Sequence, residues 1–260
     1  MICYNILTPD NAQETLQRLT GIPIDEWKII RKNYNNNQVV DDYLDDILKT
    51  RKIVLPSFSS IRFTFSHITT SANCCESIRR YGLINCAYTH PQTELYKFLM
   101  ENGIVIDKRN HVLSYKGKHF DISFEKCDFV SGTEANLAWL IGRKAYYDYG
   151  ICGFLSYGNT PYPGNVHIRP EILLNIDDLL QTNLSDIWEK DHHTYEVIAQ
   201  TDSDKIILDD DNPMMAYLVR AFWSAFWTNE SLILLKPNID VLPTDILEIK
   251  KKFNRWKDNV

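Results

Sequence analysis

The sequence predicts an α+β fold with mixed or antiparallel sheets, preceded by a helical arm. Two observations favour it. Residues 1–55 carry apolar side chains at helical spacing, whereas the rest of the chain holds many short strand-like runs with few helical stretches between them. The regular alternation of strand and helix that a doubly wound parallel sheet requires is missing. We therefore expect an accessory helical segment at 1–55 and a main domain at 56–260, with a β-rich insertion at about 88–130.

The N-terminal arm begins with a helix signal at Thr8-Pro9-Asp10, a capping residue followed by Pro in the first turn. Helical periodicity covers residues 12–19, 24–31 and 41–52, and an Asn-rich loop at 33–37 interrupts it. We interpret the arm as a lid or cap on the main domain. The alternative is a module that recruits a partner or a substrate.

Residues 63–86 have the most specific local pattern in the chain. A predicted strand at 63–69 presents His67 and Thr69 near its end, and a short helix follows at 76–81. Gly82 is predicted to end that helix, because glycine tolerates the left-handed cap conformation. An imidazole and a hydroxyl at a strand end offer directional hydrogen bonds at the mouth of a cleft.

The remaining elements follow from periodicity and turn residues. Helices are predicted at 92–101, 135–147 and 214–227, and strands at 104–106, 112–115, 119–122, 150–157, 166–168, 195–200, 205–208 and 230–235. Residues 172–180 are predicted as a strand followed by a turn, and the acidic run at 209–213 as the cap of the last helix.

Composition limits the functional classes. The formal net charge of −6 argues against bulk electrostatic capture of nucleic acid, although it leaves room for a local basic face. The six cysteines show no C-x-x-C pairing, so we expect reduced and mostly buried thiols in a cytoplasmic protein. No apolar run approaches the roughly 20 residues of a membrane span, and we expect no membrane partner.

Three segments occur in an order typical of a known family. FSHITTSANCCESIRRYGL resembles the first motif of the ADP-ribosyltransferases of the diphtheria-toxin and poly(ADP-ribose) polymerase type, in which a His precedes a helix that ends in Gly-Leu. TNESLILLKPNIDVLPTDILEI resembles the last motif, in which a Glu opens a strand and a Val/Ile-x-Pro segment follows. YYDYGICGFLSYGNTPY is similar to the second motif, but it lacks a clear Gly-x-Tyr and Ser-rich helix. The resemblance covers about residues 56–250, without the insertion.

This resemblance to the His-Tyr-Glu type of ADP-ribosyltransferase implies a fold of split, mixed or antiparallel β-sheets with short helices. It implies NAD as the substrate, cleavage of its nicotinamide glycosidic bond, and transfer of ADP-ribose to a macromolecular acceptor, either a nucleic acid or a protein. The family also includes toxins that modify DNA bases and bacterial anti-phage effectors, so a role in a toxin or in anti-phage defence is implied as well.

The resemblance also assigns roles to individual residues. Glu230 would hydrogen-bond the 2′-hydroxyl of the nicotinamide ribose and help to activate the acceptor, while His67 would donate to the adenosine ribose. Tyr157 is the first choice for the aromatic ring that stacks on nicotinamide. The implied catalytic residues are Glu230, His67 and Tyr157, and the implied NAD-binding residues are His67, Ile68, Thr69, Tyr157 and, as alternative stacking residues, Tyr147 and Tyr149.

Each of these residues also has a simpler interpretation by itself. His67 is compatible with a structural histidine, Glu230 with a solvated strand start, and Tyr157 with the core or its rim. Three other functions stay open: an NAD glycohydrolase with water as acceptor, a catalytically inactive binding module, and a metal-dependent nuclease built on the acidic run. We predict no metal site, because that run lacks the Gly and Glu of a calcium loop.

Overall fold

The computed structural model describes residues 1–35, 37–86, 89–146, 150–158, 167–208 and 211–252. In chain order its elements are β1 (Ile2–Tyr4), α1 (Pro9–Thr20), α2 (Ile24–Asn33), α3 (Val40–Arg51), β2 (Ile61–Ser71), α4 (Glu76–Tyr81), α5 (Glu94–Glu101), β3 (Ile104–Asp107), β4 (Val112–Tyr115), β5 (Lys118–Asp121), α6 (Glu134–Tyr146), β6 (Cys152–Ser156), α7 (Glu171–Leu180), α8 (Leu184–Asp191), β7 (His193–Asp202), α9 (Pro213–Phe226), β8 (Ser231–Leu234) and β9 (Ile246–Lys251). Helices and largely antiparallel sheets confirm the α+β prediction.

The chain divides into two compact units. The first contains residues 1–67, 152–161 and 198–236, and the second contains residues 68–151, 162–197 and 237–260. Strands β2 and β7 each contribute residues to both units. The helical arm at 1–55 thus belongs to the first unit.

The larger sheet has the strand order β8-β6-β2-β7-β9, and β1 pairs with β2 in parallel. Strand β6 is antiparallel to both of its neighbours, with Ser66 opposite Phe154 on one side and Phe154 opposite Leu232 on the other. An irregularity between Phe154 and Ser156 then brings Ser156 opposite Ser231. The smaller sheet, β3-β4-β5, is an antiparallel meander within the second unit.

The core of the first unit forms where α9 packs on the arm and on β2. The ring of Trp27 in α2 lies 5.8 Å from that of Phe222, and the ring of Phe63 in β2 lies 4.6 Å from that of Tyr217. The predicted helices of the arm are confirmed. Thr8 caps α1 as expected, because its Oγ1 accepts a hydrogen bond from the Asn11 backbone at 3.2 Å.

The core of the second unit joins the small sheet to the helices α5 to α8. Its buried members are Leu99, Ile104, Leu113, Ile122, Ala138, Ile141, Ile172, Leu173, Ile176, Leu179, Leu184 and Trp188. The segment at 88–130 therefore supplies core residues to this unit and does not form a separate subdomain.

The prediction of a strand and a turn at 172–180 is wrong, because these residues form helix α7. Ile172, Leu173, Ile176 and Leu179 are all buried, and their spacing of one, three and three residues is that of one helix face. The short apolar run was ambiguous by itself, and the packing of α7 against α6 and α8 selects the helix.

The predicted strand at 205–208 is also wrong. Residues 203–205 form a 3₁₀ turn, after which Ile207 donates a backbone hydrogen bond to the Leu234 carbonyl at 2.9 Å. The segment pairs with the end of β8 through an isolated bridge between Ile206 and Leu235. Polar and apolar residues do alternate at 205–208, but the 3₁₀ turn at 203–205 leaves too few residues for a regular strand.

The cysteines differ from the expectation of mostly buried thiols. None of the six, all of which are among the described residues, forms a disulfide, but only Cys75 is buried, and Cys74 and Cys152 are exposed. Burial raises the pKa of the Cys75 thiol to about 12. Among the described residues, no helix is long and apolar enough to cross a bilayer.

Substitution of Gly82 by Ala should destabilise the protein strongly. Gly82 has φ 84° and ψ −169°, a region open almost only to glycine, and an added Cβ would lie 1.8 Å from the Val241 carbonyl oxygen. We expect a loss of at least about 2 kcal/mol relative to Gly103→Ala, measured by urea unfolding. Gly103 is the matched control, since it also has a positive φ but no atom within 4 Å of the added Cβ. Equal losses in the two variants would contradict the steric explanation.

Candidate functional site

The three residues singled out as catalytic in the sequence all lie in the first unit, on neighbouring strands. His67 belongs to β2, Tyr157 directly follows β6, and Glu230 directly precedes β8. Strand β6 lies between β2 and β8 and pairs with both. Three segments that are distant in the chain are therefore adjacent in the sheet.

His67 is half-buried and contacts the first residue of β6. Its Nδ1 lies 2.8 Å from the Cys152 carbonyl oxygen. Burial lowers the pKa of His67, while this hydrogen bond opposes the shift. A neutral imidazole that donates from Nδ1 to the carbonyl keeps Nε2 as an acceptor. Such a ring would accept a hydrogen bond from a ribose hydroxyl, whereas the resemblance implied that it donates one.

Tyr157 is held against the β2–β6 pair. Its hydroxyl donates to Ser66 Oγ, and its ring centroid lies 5.2 Å from that of Phe154. Ser66 is fully buried. Side chains alternate along a strand, so Ser66 and His67 are on opposite faces of β2. The structure therefore joins Tyr157 to Ser66 and does not bring it to His67.

Glu230 lies beside the residue that follows Tyr157. A Cβ added to Gly158 would be 3.2 Å from the Glu230 Cβ and 3.7 Å from its Oε2. Asn229, the residue before Glu230, is anchored, because its carbonyl accepts a hydrogen bond from Ser156 Oγ at 2.7 Å. The Glu230 side chain itself is exposed. Glu230 thus lies next to Gly158, one residue past Tyr157, at the C-terminal end of β6.

His67, on β2, lies beside the other end of β6. Its contact, Cys152, is the first residue of β6, whereas Tyr157 and Glu230 lie past the last residue, Ser156. Four extended residues correspond to roughly 13 Å along a strand. Any ligand that touches both His67 and Glu230 must be elongated.

The other residues implied to bind NAD are less informative. Ile68 and Thr69 belong to the second unit, where Ile68 is 5% exposed and Thr69 is half-buried. Because the Ile68 side chain is buried, only the backbone of this residue could contact a ligand. Tyr147 and Tyr149 lie outside the described residues.

The Gly-Leu end of the first family-like segment pairs with the Val-x-Pro part of the last one in the second unit. The Leu83 backbone donates to the Val241 carbonyl at 3.0 Å, and the Val241 backbone donates to the Leu83 carbonyl at 2.9 Å. Gly82 makes this close approach possible, since it has no Cβ to meet Val241. The Gly-Leu and Val-x-Pro patterns therefore record a structural contact.

Sequence reasoning missed two features. Ser66 was overlooked, although a small polar residue within the apolar run FTFSH is a signal for a buried hydrogen bond. The adjacent pair His192-His193 predicts a surface loop, because neighbouring side chains cannot both face one metal in regular structure, but His192 directly follows α8 with a side chain only 8% exposed. It lines a cavity of about 430 Å³ in the second unit.

Comparisons with protein-family models, with curated proteins and with solved structures found no match. Within the described part of the chain, no cluster of three His, Cys, Asp or Glu side chains could hold a metal ion. The first two aspartates of the acidic run lie outside that part, and Asn212 caps α9 through a hydrogen bond from the Met215 backbone. The function must therefore be argued from the geometry of the site.

The lowered pKa of His67 predicts a specific loss of stability in acid. The unfolded chain takes up a proton near the ordinary histidine pKa of about 6.5, whereas the folded chain does so only at lower pH. The contribution of neutral His67 is therefore complete above about pH 6.5 and falls as the pH is lowered. Urea unfolding of wild type and His67→Gln between pH 7.5 and 5 should show the smaller loss in the variant, whose amide can still donate to the Cys152 carbonyl. Identical pH dependence in both proteins would contradict the prediction.

Proposed function

We propose that this protein is an NAD-dependent ADP-ribosyltransferase that cleaves the nicotinamide glycosidic bond and transfers ADP-ribose to a macromolecular acceptor. The observation that supports the proposal is that Gly158, the residue after Tyr157, lies beside Glu230 at one end of β6. Tyr157 and Glu230 come from two separate family-like segments, and the chain order did not require these segments to be adjacent. The reaction would need an aromatic ring for the nicotinamide and a carboxylate for the ribose, and this end of β6 carries one of each.

The carboxylate of Glu230 would act on the ribose. When the bond between C1′ and the nicotinamide nitrogen breaks, nicotinamide leaves with the electron pair and positive charge develops on the ribose ring. A fixed negative group close to that ring stabilises the developing charge. Glu230 is exposed, and the carbonyl of the residue before it accepts a hydrogen bond from Ser156, so the carboxylate is open to a ligand from a backbone that is held in place.

Transfer then requires a nucleophile at C1′. An acceptor oxygen or nitrogen forms the new bond to C1′, and its proton passes to the Glu230 carboxylate. Because Glu230 is exposed, a large acceptor can approach it from solvent. Water can approach as well, so an NAD glycohydrolase with the same first step is the alternative.

Tyr157 would stack on the nicotinamide. Its hydroxyl bond to Ser66 and its contact with Phe154 restrict the ring before any ligand binds, which reduces the entropy lost on binding. His67 is separated from Glu230 by roughly the length of β6, and an extended dinucleotide is long enough to reach both. The contact of His67 with the adenosine ribose has less support, since its ring lies on the opposite face of β2 from Ser66.

Replacement of Glu230 by Gln should reduce the release of nicotinamide from NAD by about 100-fold or more, because the negative charge is removed while the shape is kept. The matched control is Glu125→Gln, which neutralises an exposed carboxylate of the second unit. Nicotinamide release is measured by chromatography with purified protein and NAD. Full activity of the Glu230 variant would remove this residue from the mechanism.

NAD labelled in its adenylate part distinguishes the remaining functions. We expect the label to appear on nucleic acid or protein when a cell extract is added as the source of acceptor. Release of free labelled ADP-ribose alone would identify a glycohydrolase. Absence of NAD binding by calorimetry, with a folded protein, would identify a catalytically inactive binding module.

Tyr157 can be tested through two substitutions. Tyr157→Phe keeps the ring and loses only the bond to Ser66, so we expect a change in KM for NAD of a few fold. Tyr157→Ala removes the stacking surface and should raise KM by about tenfold or more, since aromatic stacking is worth about 1–3 kcal/mol per base. Equal KM values in the two variants would contradict a stacking role. Steady-state kinetics of nicotinamide release provide the measurement.

A further inference from the structure

Strand β8 presents a row of exposed aliphatic side chains that begins next to the carboxylate of Glu230. Exposed and buried residues alternate from Glu230 to Leu235, so Glu230, Leu232 and Leu234 share one face of the strand. Leu232 is 43% exposed and Leu234 is 38% exposed. Side chains two residues apart on a strand lie roughly 7 Å apart, so the row continues directly from the carboxylate.

The segment that pairs with the end of β8 extends this row. The Ile207 backbone donates to the Leu234 carbonyl at 2.9 Å, and Ile206 forms a bridge with Leu235. Ile206 and Leu235 are both buried, so Ile207, the next residue, lies on the exposed face beside Leu234. We call Leu232, Leu234 and Ile207 the β8 surface. One exposed leucine by itself is ordinary, but three adjacent aliphatic side chains on one face form a continuous apolar patch.

The β8 surface lies on the same face of the sheet as Tyr157. Leu232 is directly opposite Phe154, so their side chains are on one face, and the Tyr157 ring packs on Phe154 with centroids 5.2 Å apart. Ser66, which accepts from the Tyr157 hydroxyl, is opposite Phe154 on the other side. A macromolecule seated at Glu230 on this face therefore contacts the β8 surface.

The chain segment that flanks the β8 surface is acidic. Residues 202–211, which include Ile207, hold five aspartates and one lysine. That lysine, Lys205, is paired with Asp202 at 3.5 Å, and Lys236 Nζ donates to the Asp204 carbonyl oxygen at 2.6 Å. A nucleic acid binds through basic residues that neutralise its phosphates, whereas an excess of carboxylates repels them.

The side chains around the β8 surface match a protein better than a nucleic acid in two further respects. Arg220 is engaged by the protein itself, because its Nη1 donates to the Leu232 carbonyl at 3.4 Å and its guanidinium lies 4.8 Å from the Tyr217 ring centroid. The side chains of the β8 surface are aliphatic, so they offer no ring on which a base could stack. An apolar patch bordered by charges corresponds to the apolar centre and polar rim of a protein–protein contact.

We propose that the acceptor of the ADP-ribosyl group is a protein that docks an apolar segment, flanked by basic residues, on the β8 surface. The basic residues of the acceptor face the acidic segment 202–211, and its apolar side chains cover the leucines. A nucleophilic side chain next to the docked segment forms the new bond to C1′ after nicotinamide has left with its electron pair, and its proton passes to Glu230. A protein acceptor presupposes the transferase function proposed above and specifies its substrate class.

Enzymatic treatment of the acceptor source tests the class of acceptor. The full chain is incubated with adenylate-labelled NAD and a cell extract that has been treated either with nucleases or with an immobilised protease. We expect labelling of macromolecules to survive the nucleases and to be lost after proteolysis. Label that is lost with nucleases and kept after proteolysis identifies a nucleic acid acceptor and overturns the proposal.

Leu234→Gln tests the docking surface itself. An amide in place of the aliphatic side chain weakens an apolar contact, so the label transferred to protein per nicotinamide released should fall about fivefold or more. Leu232→Gln should act in the same direction, and circular dichroism detects a folding defect in either variant. The matched control is Leu247→Gln, which replaces an exposed leucine of β9, the strand at the other edge of the sheet, and should leave the ratio unchanged. Equal ratios in folded Leu234 and Leu247 variants overturn the proposal.

Nicotinamide release, measured in the same samples, separates the possible failures. Absence of release by the folded wild-type protein overturns the transferase function and the protein acceptor together. Release that yields only free ADP-ribose identifies water as the acceptor and overturns the protein acceptor, while cleavage of NAD stands. Protein labelling that does not respond to either β8 variant overturns the docking surface alone.

Discussion

The close packing of the Phe65 ring on Gly153 is the constraint on which the candidate site depends. An added Cβ at Gly153 would lie 2.3 Å from the Phe65 ring, so only glycine allows β6 to approach β2 in this way. The contact fixes the register in which Ser66 is opposite Phe154. That register lets the Tyr157 hydroxyl reach Ser66, and the pairing of β6 with β8 brings the end of β6 beside Glu230.

The two ends of β6 consequently have different chemical properties. At its start, burial lowers the pKa of His67, and the Cys152 carbonyl, which accepts from Nδ1, fixes which ring nitrogen carries the proton. At its end, the Tyr157 hydroxyl bonds to Ser66, and Gly158 lies beside the exposed Glu230. A ligand that contacted all three residues would have to extend along β6 and reach both faces of β2.

The sequence predicted most of the elements because their patterns are local. Caps, glycines and apolar periodicity located the arm, β2, α4 and α9, and the polar start of β8. The prediction failed at 172–180, where a short apolar run fits two periods and only packing against α6 and α8 selects the helix. It also failed for His192, since nothing in the dipeptide His192-His193 indicates that one ring stacks on Trp188 and the other is exposed.

The sequence by itself determined the α+β class, the local elements around His67 and Glu230, and the order of the family-like segments. The tertiary structure decided which residues meet. It joined Tyr157 to Ser66 and Gly158 to Glu230, and it turned the His67 ring away from Ser66. The physical reason is that strand pairing and the alternation of side chains across a sheet depend on long-range register, which no local pattern encodes.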